Sequence, residues 1–221
     1  MIKVKRAPEA PRSLTKEKAK KNGTYNQEDV KRQLYLDFSE KCYLCEAKEL
    51  QDGGEIEHLI AHKGDIDLKF DWKNLFLCCG HCNSIKNRPR YEKGILDCTE
   101  VDPEEKLEHI YEEEGDQVRI VAKEKNKSVE LTAELLMNIF NASNTITRTK
   151  AAEYRVKGIK IEMNKLYRLL YEYQNEKSNR FVKVRIQAMI RRQSEYAAFK
   201  RHFIRQSGEK YPEFLEYMQD H

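Results

Sequence analysis

Four cysteines fall into two pairs of one spacing, Cys42-x-x-Cys45 in "KCYLCE" and Cys79-x-x-Cys82 in "CCGHCN". Two residues between cysteines let both thiolates reach one tetrahedral ion at Zn–S distances of about 2.3 Å. Four thiolates close the shell and leave no position for substrate, so the chemistry is structural: a Zn2+ that staples a small, poorly cored region. A plain zinc ribbon carries about 15–20 residues between its pairs, but 33 separate Cys45 from Cys79. Something compact must be inserted there. Cys78 offers a rival register that breaks the two-residue spacing to Cys82, and Cys98 stands alone; both read as bystanders. A redox pair or ordinary buried cysteines are the competing accounts of the same four residues.

The insert contains "GGEIEHLIAHKG". An imidazole, with an ordinary pKa of about 6.5, can accept a proton from water at neutral pH. Strand alternation points Glu57 and His58 to opposite faces unless the strand kinks or ends there. His62, four residues beyond His58, suggests a zinc-binding pair on a helix. Gly53-Gly54 before and Gly64 after argue against a helix long enough to present it.

Short elements must position these residues. "EIEHLIA" and "NLFLC" suit two short strands around the loop "HKGDIDLKFDWK". Upstream, "RAPEAPRSLTKEKAKKNGTYN" lacks apolar periodicity and reads as an extended, basic lead-in. Val30, Leu34 and Phe38 then recur four residues apart and predict a helix over 27–40. Downstream, "QVRIVAKEK" alternates like a strand, with a hairpin near Gly115, and "LTAELLMNIFN" is a short amphipathic helix. Ile159, Met163, Leu166, Leu170 and Tyr173 form an apolar seam. Val182, Ile186 and Met189 restart it after "QNEKSN", and Tyr196 and Phe203 extend it, which predicts two long antiparallel helices. The class is α+β, mostly helical. Four segments follow: a basic arm and helix (1–40), the cysteine-stapled finger (41–95), an acidic linker and hairpin (96–130), and a helical C-terminal region (131–221).

Charge is uneven along the 221 residues. The net +4 conceals 11 Lys/Arg against 6 Asp/Glu in residues 1–41, and 17 against 6 in residues 145–210. Residues 97–116 hold 10 acidic residues and 1 basic. A basic tail can track phosphates or form the solvated face of a helix, and the sequence leaves both open. The chain lacks 18 consecutive apolar residues, and its basic start has no apolar stretch after it. A cytoplasmic protein without a membrane span is expected, with its thiols reduced.

Taken as one unit, Cys-x-x-Cys, Glu-His and "DWKNLFLCCGHCNSIK" resemble the HNH endonuclease family in its cysteine-stapled form, over about residues 42–86. The resemblance implies a ββα-metal finger. Glu57, where the family usually has Asp or His, would bind the catalytic Mg2+ or Mn2+, and His58 would be the general base. Asn74 would brace the loop between the strands and help fix His58. Asn83 would be the last cation ligand, and Lys86, one helical turn later, would face a phosphate. Hard oxygen ligands suit such an ion. Glu57 is a methylene longer than the commoner Asp, and Ala61-His62 stands where many relatives have a proline.

The whole chain also resembles a narrower group, the HNH nuclease subunits of Septu anti-phage systems and of certain retron systems (PtuB-like). The "MIKVKRAPEAPRSL" opening and the helical tail fit it beside the finger. That resemblance implies nucleic acid as substrate, DNA in preference to RNA, and an ATPase subunit (PtuA-like) as partner in a hetero-complex, docked in part on the helical tail. The rivals are a stand-alone homing or restriction-type HNH enzyme and a non-catalytic zinc module that binds nucleic acid.

Overall fold

The computed structural model describes residues 1–48, 54–143 and 145–220. Gly53, half of the glycine pair before the first strand, lies outside them. The insert between the cysteine pairs folds around a two-stranded antiparallel sheet. β1 (Glu55–His58) pairs with β2 (Leu75–Cys78), with Glu55 opposite Cys78 and His58 opposite Leu75. Strands of four residues do not stand alone in water; here all four β2 side chains are buried.

Between the strands the chain turns through Gly64, whose φ of 93° lies in the region that glycine adopts freely. Asp65 then caps α1 (Ile66–Phe70) by accepting from the amides of Asp67 at 2.8 Å and Leu68 at 3.1 Å. Asp71 repeats the device on the Lys73 amide at 3.0 Å and opens a 3-10 turn, Trp72–Asn74, that feeds β2. α2 (Gly80–Lys86) follows β2 almost directly and packs on β1.

Two helices precede the sheet: αN1 (Arg12–Lys18) and αN2 (Glu28–Asp37). The expected extended lead-in is therefore helical over αN1, where the single apolar Leu14 is buried and one anchor gives no periodicity to read. αN2 buries Val30 and Leu34, and the Phe38 that ends it meets Phe76 of β2 with ring centroids 5.5 Å apart. The first residues also pack against the strands. The Arg6 guanidinium stands 4.7 Å from the Trp72 ring centroid and 4.8 Å from that of Phe76. It donates to the carbonyls of Trp72 at 2.5 Å and Leu75 at 2.6 Å, gripping the backbone on both sides of Asn74.

After the finger, β3 (Leu107–Glu112) and β4 (Gln117–Ala122) form the hairpin expected near Gly115. α3 (Lys127–Phe140) covers β4. Then come α4 (Ile146–Asn175), α5 (Arg180–Ile190), α6 (Ala197–Gln206) and α7 (Pro212–Asp220). The second long helix expected from the seam is thus broken into two, α5 and α6, and α7 follows beyond the seam. In the break between α5 and α6 the carbonyls of Arg192 and Ser194 accept from Lys41 Nζ at 2.6 and 3.0 Å. Carbonyls tied up inside a helix are poorly placed for such a cation, and apolar periodicity carries no sign of this contact.

One buried cluster runs from Met1 through the finger, the hairpin, α3 and the first half of α4 to Phe199. A second joins the rest of α4 to α5, α6 and α7. Some of the basic charge in the tail is internal. Lys200 Nζ lies 2.9 Å from Glu162, and Arg201 Nε lies 2.9 Å from Glu104. No helix among the described residues is long and apolar enough to cross a membrane.

Candidate metal centre and active site

The Cys42–Cys45 segment turns back on itself, with the Glu46 amide donating to the Cys42 carbonyl at 2.9 Å. The Tyr43 amide ties it to Leu77 of β2 at 2.9 Å. Cys79 is the N-cap of α2, and Cys82 lies in its first turn. The sheet and helix therefore bring both pairs to one point. The ligand atoms of Cys42, Cys45, Cys79 and Cys82 all lie within 4.8 Å of one another, and all four residues are buried. A tetrahedral ion with Zn–S of about 2.3 Å needs sulfur atoms about 3.8 Å apart; Cys45 and Cys79 are 3.9 Å apart. The cluster fits a structural metal such as zinc. Cys78 Sγ lies 3.9 Å from Cys42, yet it sits on β2 outside the mutually close four. Cys98 is buried elsewhere, with its thiol pushed up to about 12 by burial.

Glu55 and Glu57 share one face of β1, and residues Gly80, Asn83 and Lys86, three apart along α2, meet that face. Asn83 Nδ2 donates to Glu55 Oε2. Lys86 Nζ forms an ion pair with Glu57 Oε1 at 2.7 Å and donates to the His58 carbonyl at 2.8 Å. The Tyr43 hydroxyl donates to Glu57 Oε2 at 2.7 Å. Oε2 of Glu57 is thus hydrogen-bonded, while Oε1 is ion-paired with Lys86 but accepts no hydrogen bond. Burial raises its pKa, while Lys86 and Tyr43 oppose the rise.

Two expectations change on this geometry. Lys86 does not face a phosphate: it is 1% exposed, with its ammonium committed to Glu57 and to β1. Glu57 is buried and ion-paired with Lys86, and the carboxylate that Asn83 touches is that of Glu55. The reason is position along the helix. Lys86 lies one turn beyond Asn83, over the buried end of the strand, while Asn83 lies over its exposed end.

His58 has a different set of neighbours, as alternation requires. Its Nε2 lies 3.1 Å from the Lys69 carbonyl. A carbonyl only accepts, so Nε2 carries the proton and Nδ1 holds the lone pair. Burial lowers the His58 pKa below its ordinary value, keeping the ring neutral at pH 7. The Tyr25 ring stands edge-on at 4.6 Å, and the His62 ring lies 4.8 Å away. His62 Nδ1 accepts the Gly64 amide at 3.1 Å, which orders the turn.

Asn74 is 4% exposed and ties the loop together. Its Oδ1 accepts from the Ile60 amide at 2.8 Å, and its Nδ2 donates to the carbonyls of Ile60 at 2.9 Å and Leu68 at 3.0 Å. The next residue after Leu68 is the one whose carbonyl holds His58.

No family model, curated protein or solved structure matches this chain.

Three further residues border the site. Glu55 was within reach of alternation, two residues before Glu57 on the same face. Tyr43 lies inside the first cysteine pair, where the thiols dominate the pattern. Tyr25 comes from the lead-in, which lacks apolar periodicity.

Proposed function

We propose that the protein is a metal-dependent nuclease that hydrolyses phosphodiester bonds of nucleic acid, DNA in preference to RNA. The observation that carries this is His58: a neutral imidazole whose tautomer is fixed by the Lys69 carbonyl, on the strand whose Glu55 meets Asn83. Such a ring is poised to take a proton from water on Nδ1. Lys69 then stabilises the imidazolium by accepting from Nε2, and Asn74 holds that carbonyl in place through the loop. Glu55 and the amide oxygen of Asn83, which here accepts from Asn87 Nδ2 at 3.0 Å, would be the hard ligands for Mg2+ or Mn2+ at the exposed end of the sheet. When bound, that ion would polarise the scissile phosphate and neutralise charge on the leaving oxygen. The four thiolates hold a structural Zn2+ and take no part in the reaction.

Following the narrower resemblance, the nuclease works with an ATPase subunit in an anti-phage defence complex. The exposed apolar side chains of Tyr171 on α4 and of Phe181 and Val184 on α5 are available for such a partner.

The test is cleavage of plasmid DNA and of total tRNA, with Mg2+ or with EDTA, alone and with the ATPase. Metal-dependent cleavage of DNA supports the proposal. Binding of both substrates without cleavage under any of these conditions overturns it in favour of a non-catalytic zinc module.

A further inference from the structure

The four-thiolate cluster has a neighbour supplied from far along the chain. Arg155, on α4, donates from Nη2 to Cys79 Sγ at 2.9 Å and from Nη1 to the Ala151 carbonyl of its own helix at 2.6 Å. It is 9% exposed, and its Nε has no hydrogen-bond partner. One turn further along α4, Gly158 leaves room for Tyr196: a Cβ there would come within 2.5 Å of the Tyr196 hydroxyl. The Tyr196 amide in turn donates to the carbonyl of Glu46, the residue after Cys45, at 3.4 Å. Beside it, Glu195 accepts from the Lys48 amide at 3.0 Å. The α4 helix and the α5–α6 break therefore close over the first cysteine pair, and Arg155 reaches the second.

Four thiolates around a divalent cation carry a net charge of −2. A buried charge of that size is costly unless neighbouring groups compensate it. Hydrogen bonds to ligand sulfur are also a main way in which a protein tunes a thiolate metal site. We propose that Arg155 is the outer-sphere charge partner of the four-cysteine metal site, and that metal retention and docking of α4 are a single linked equilibrium. Linkage makes the coupling reciprocal: whatever factor α4 docking adds to metal affinity, the bound metal adds to α4 docking. The proposal rests on the metal reading of the four cysteines and is independent of catalysis.

The test uses the full-length chain loaded with one equivalent of Zn2+. Zinc transfer to a colorimetric chelator is followed for wild type, Arg155→Met and Arg155→Lys, with circular dichroism as the check on folding. Arg155→Met keeps much of the side-chain volume but removes the charge and the N–H donors. It should weaken zinc affinity by about 10- to 100-fold, the usual effect of losing an outer-sphere partner. Arg155→Lys should fall between it and wild type. An affinity within twofold of wild type for Arg155→Met overturns the proposal.

If Arg155→Met does not fold, hydrogen exchange on wild-type protein decides instead. Chelating the metal should release protection over residues 151–158, and unchanged protection there after the metal has left contradicts the linkage. A wild-type chain that binds no zinc refutes the metal reading itself, which is a separate and distinguishable outcome.

Discussion

Lys86 and Glu57 form an ion pair of 2.7 Å in which each side chain is 1% exposed, joining α2 to β1 beneath the candidate site. Removing one member of such a pair strands the other as a buried charge, whereas removing both can be nearly neutral. Lys86→Met should therefore lower stability by about 3–5 kcal/mol, and Lys86→Met with Glu57→Gln should recover much of that loss. Urea unfolding of the two single variants and the double variant measures this. If Lys86→Met is as stable as wild type while its affinity for nucleic acid falls, the ammonium does face a phosphate and this placement is wrong.

The four cysteines should hold one Zn per chain, measured by elemental analysis after purification. Cys42→Ser or Cys79→Ser should lose the metal and unfold residues 41–90, because metal binding to such a segment is folding free energy. Cys98→Ser should leave zinc content unchanged. Loss of zinc in Cys78→Ser with retention in Cys79→Ser would put the ligand register off by one residue.

How much of this was legible in the sequence depended on range. Cys-x-x-Cys is a local pattern whose geometry follows from backbone alone, so both halves of the cluster could be read from spacing. The β1 and β2 strands and the Gly115 hairpin were also local, set by alternation and a turn residue. The Glu57–Lys86 pair spans 29 positions and depends on how α2 rolls over β1, which no spacing rule fixes. Arg155 lies 76 positions from the Cys79 it touches, and in the sequence it is one more cation in a basic tail. The break between α5 and α6 was hidden for a similar reason: its carbonyls meet Lys41, 151 and 153 positions upstream.

Glu104 should contribute to acid sensitivity beside Glu46, whose carboxyl lies well below the usual range; Glu104 is buried against Arg201 at 2.9 Å and Arg205 at 2.7 Å. Burial pushes its pKa up, but Arg201 and Arg205 outweigh that and hold it below the ordinary value. A carboxylate whose pKa is lowered on folding binds fewer protons folded than unfolded. Its contribution is present above the unfolded pKa of about 4.5 and is lost as pH falls through the folded value. Thermal melts from pH 7 to pH 3 should show stability falling below about pH 4.5. Glu104→Gln should already be destabilised at pH 7 and show a shallower decline. An unchanged acid limb in that variant contradicts the assignment.

Asn74 makes three hydrogen bonds across the loop that carries Lys69. Asn74→Ala should lose about 1 kcal/mol for each and raise hydrogen exchange over residues 59–70, with the cysteine cluster intact. Asn74→Asp keeps the acceptor for Ile60 but loses both donations, so it should loosen the loop too. Wild-type protection in both variants would remove Asn74 from the positioning of His58.

The measurement that bears most directly on the proposed activity is single-turnover cleavage of DNA with Mg2+ by wild type, His58→Ala and His62→Ala. His58→Ala should retain fold, zinc and substrate binding, because thiolates and not this imidazole hold the finger together. It should lose cleavage by about two to four orders of magnitude, the usual contribution of a positioned general base. His62→Ala, which removes a neighbouring ring and one turn contact, should be mildly affected. A His58→Ala protein that cuts at the wild-type rate contradicts the nuclease account and leaves the zinc module in its place.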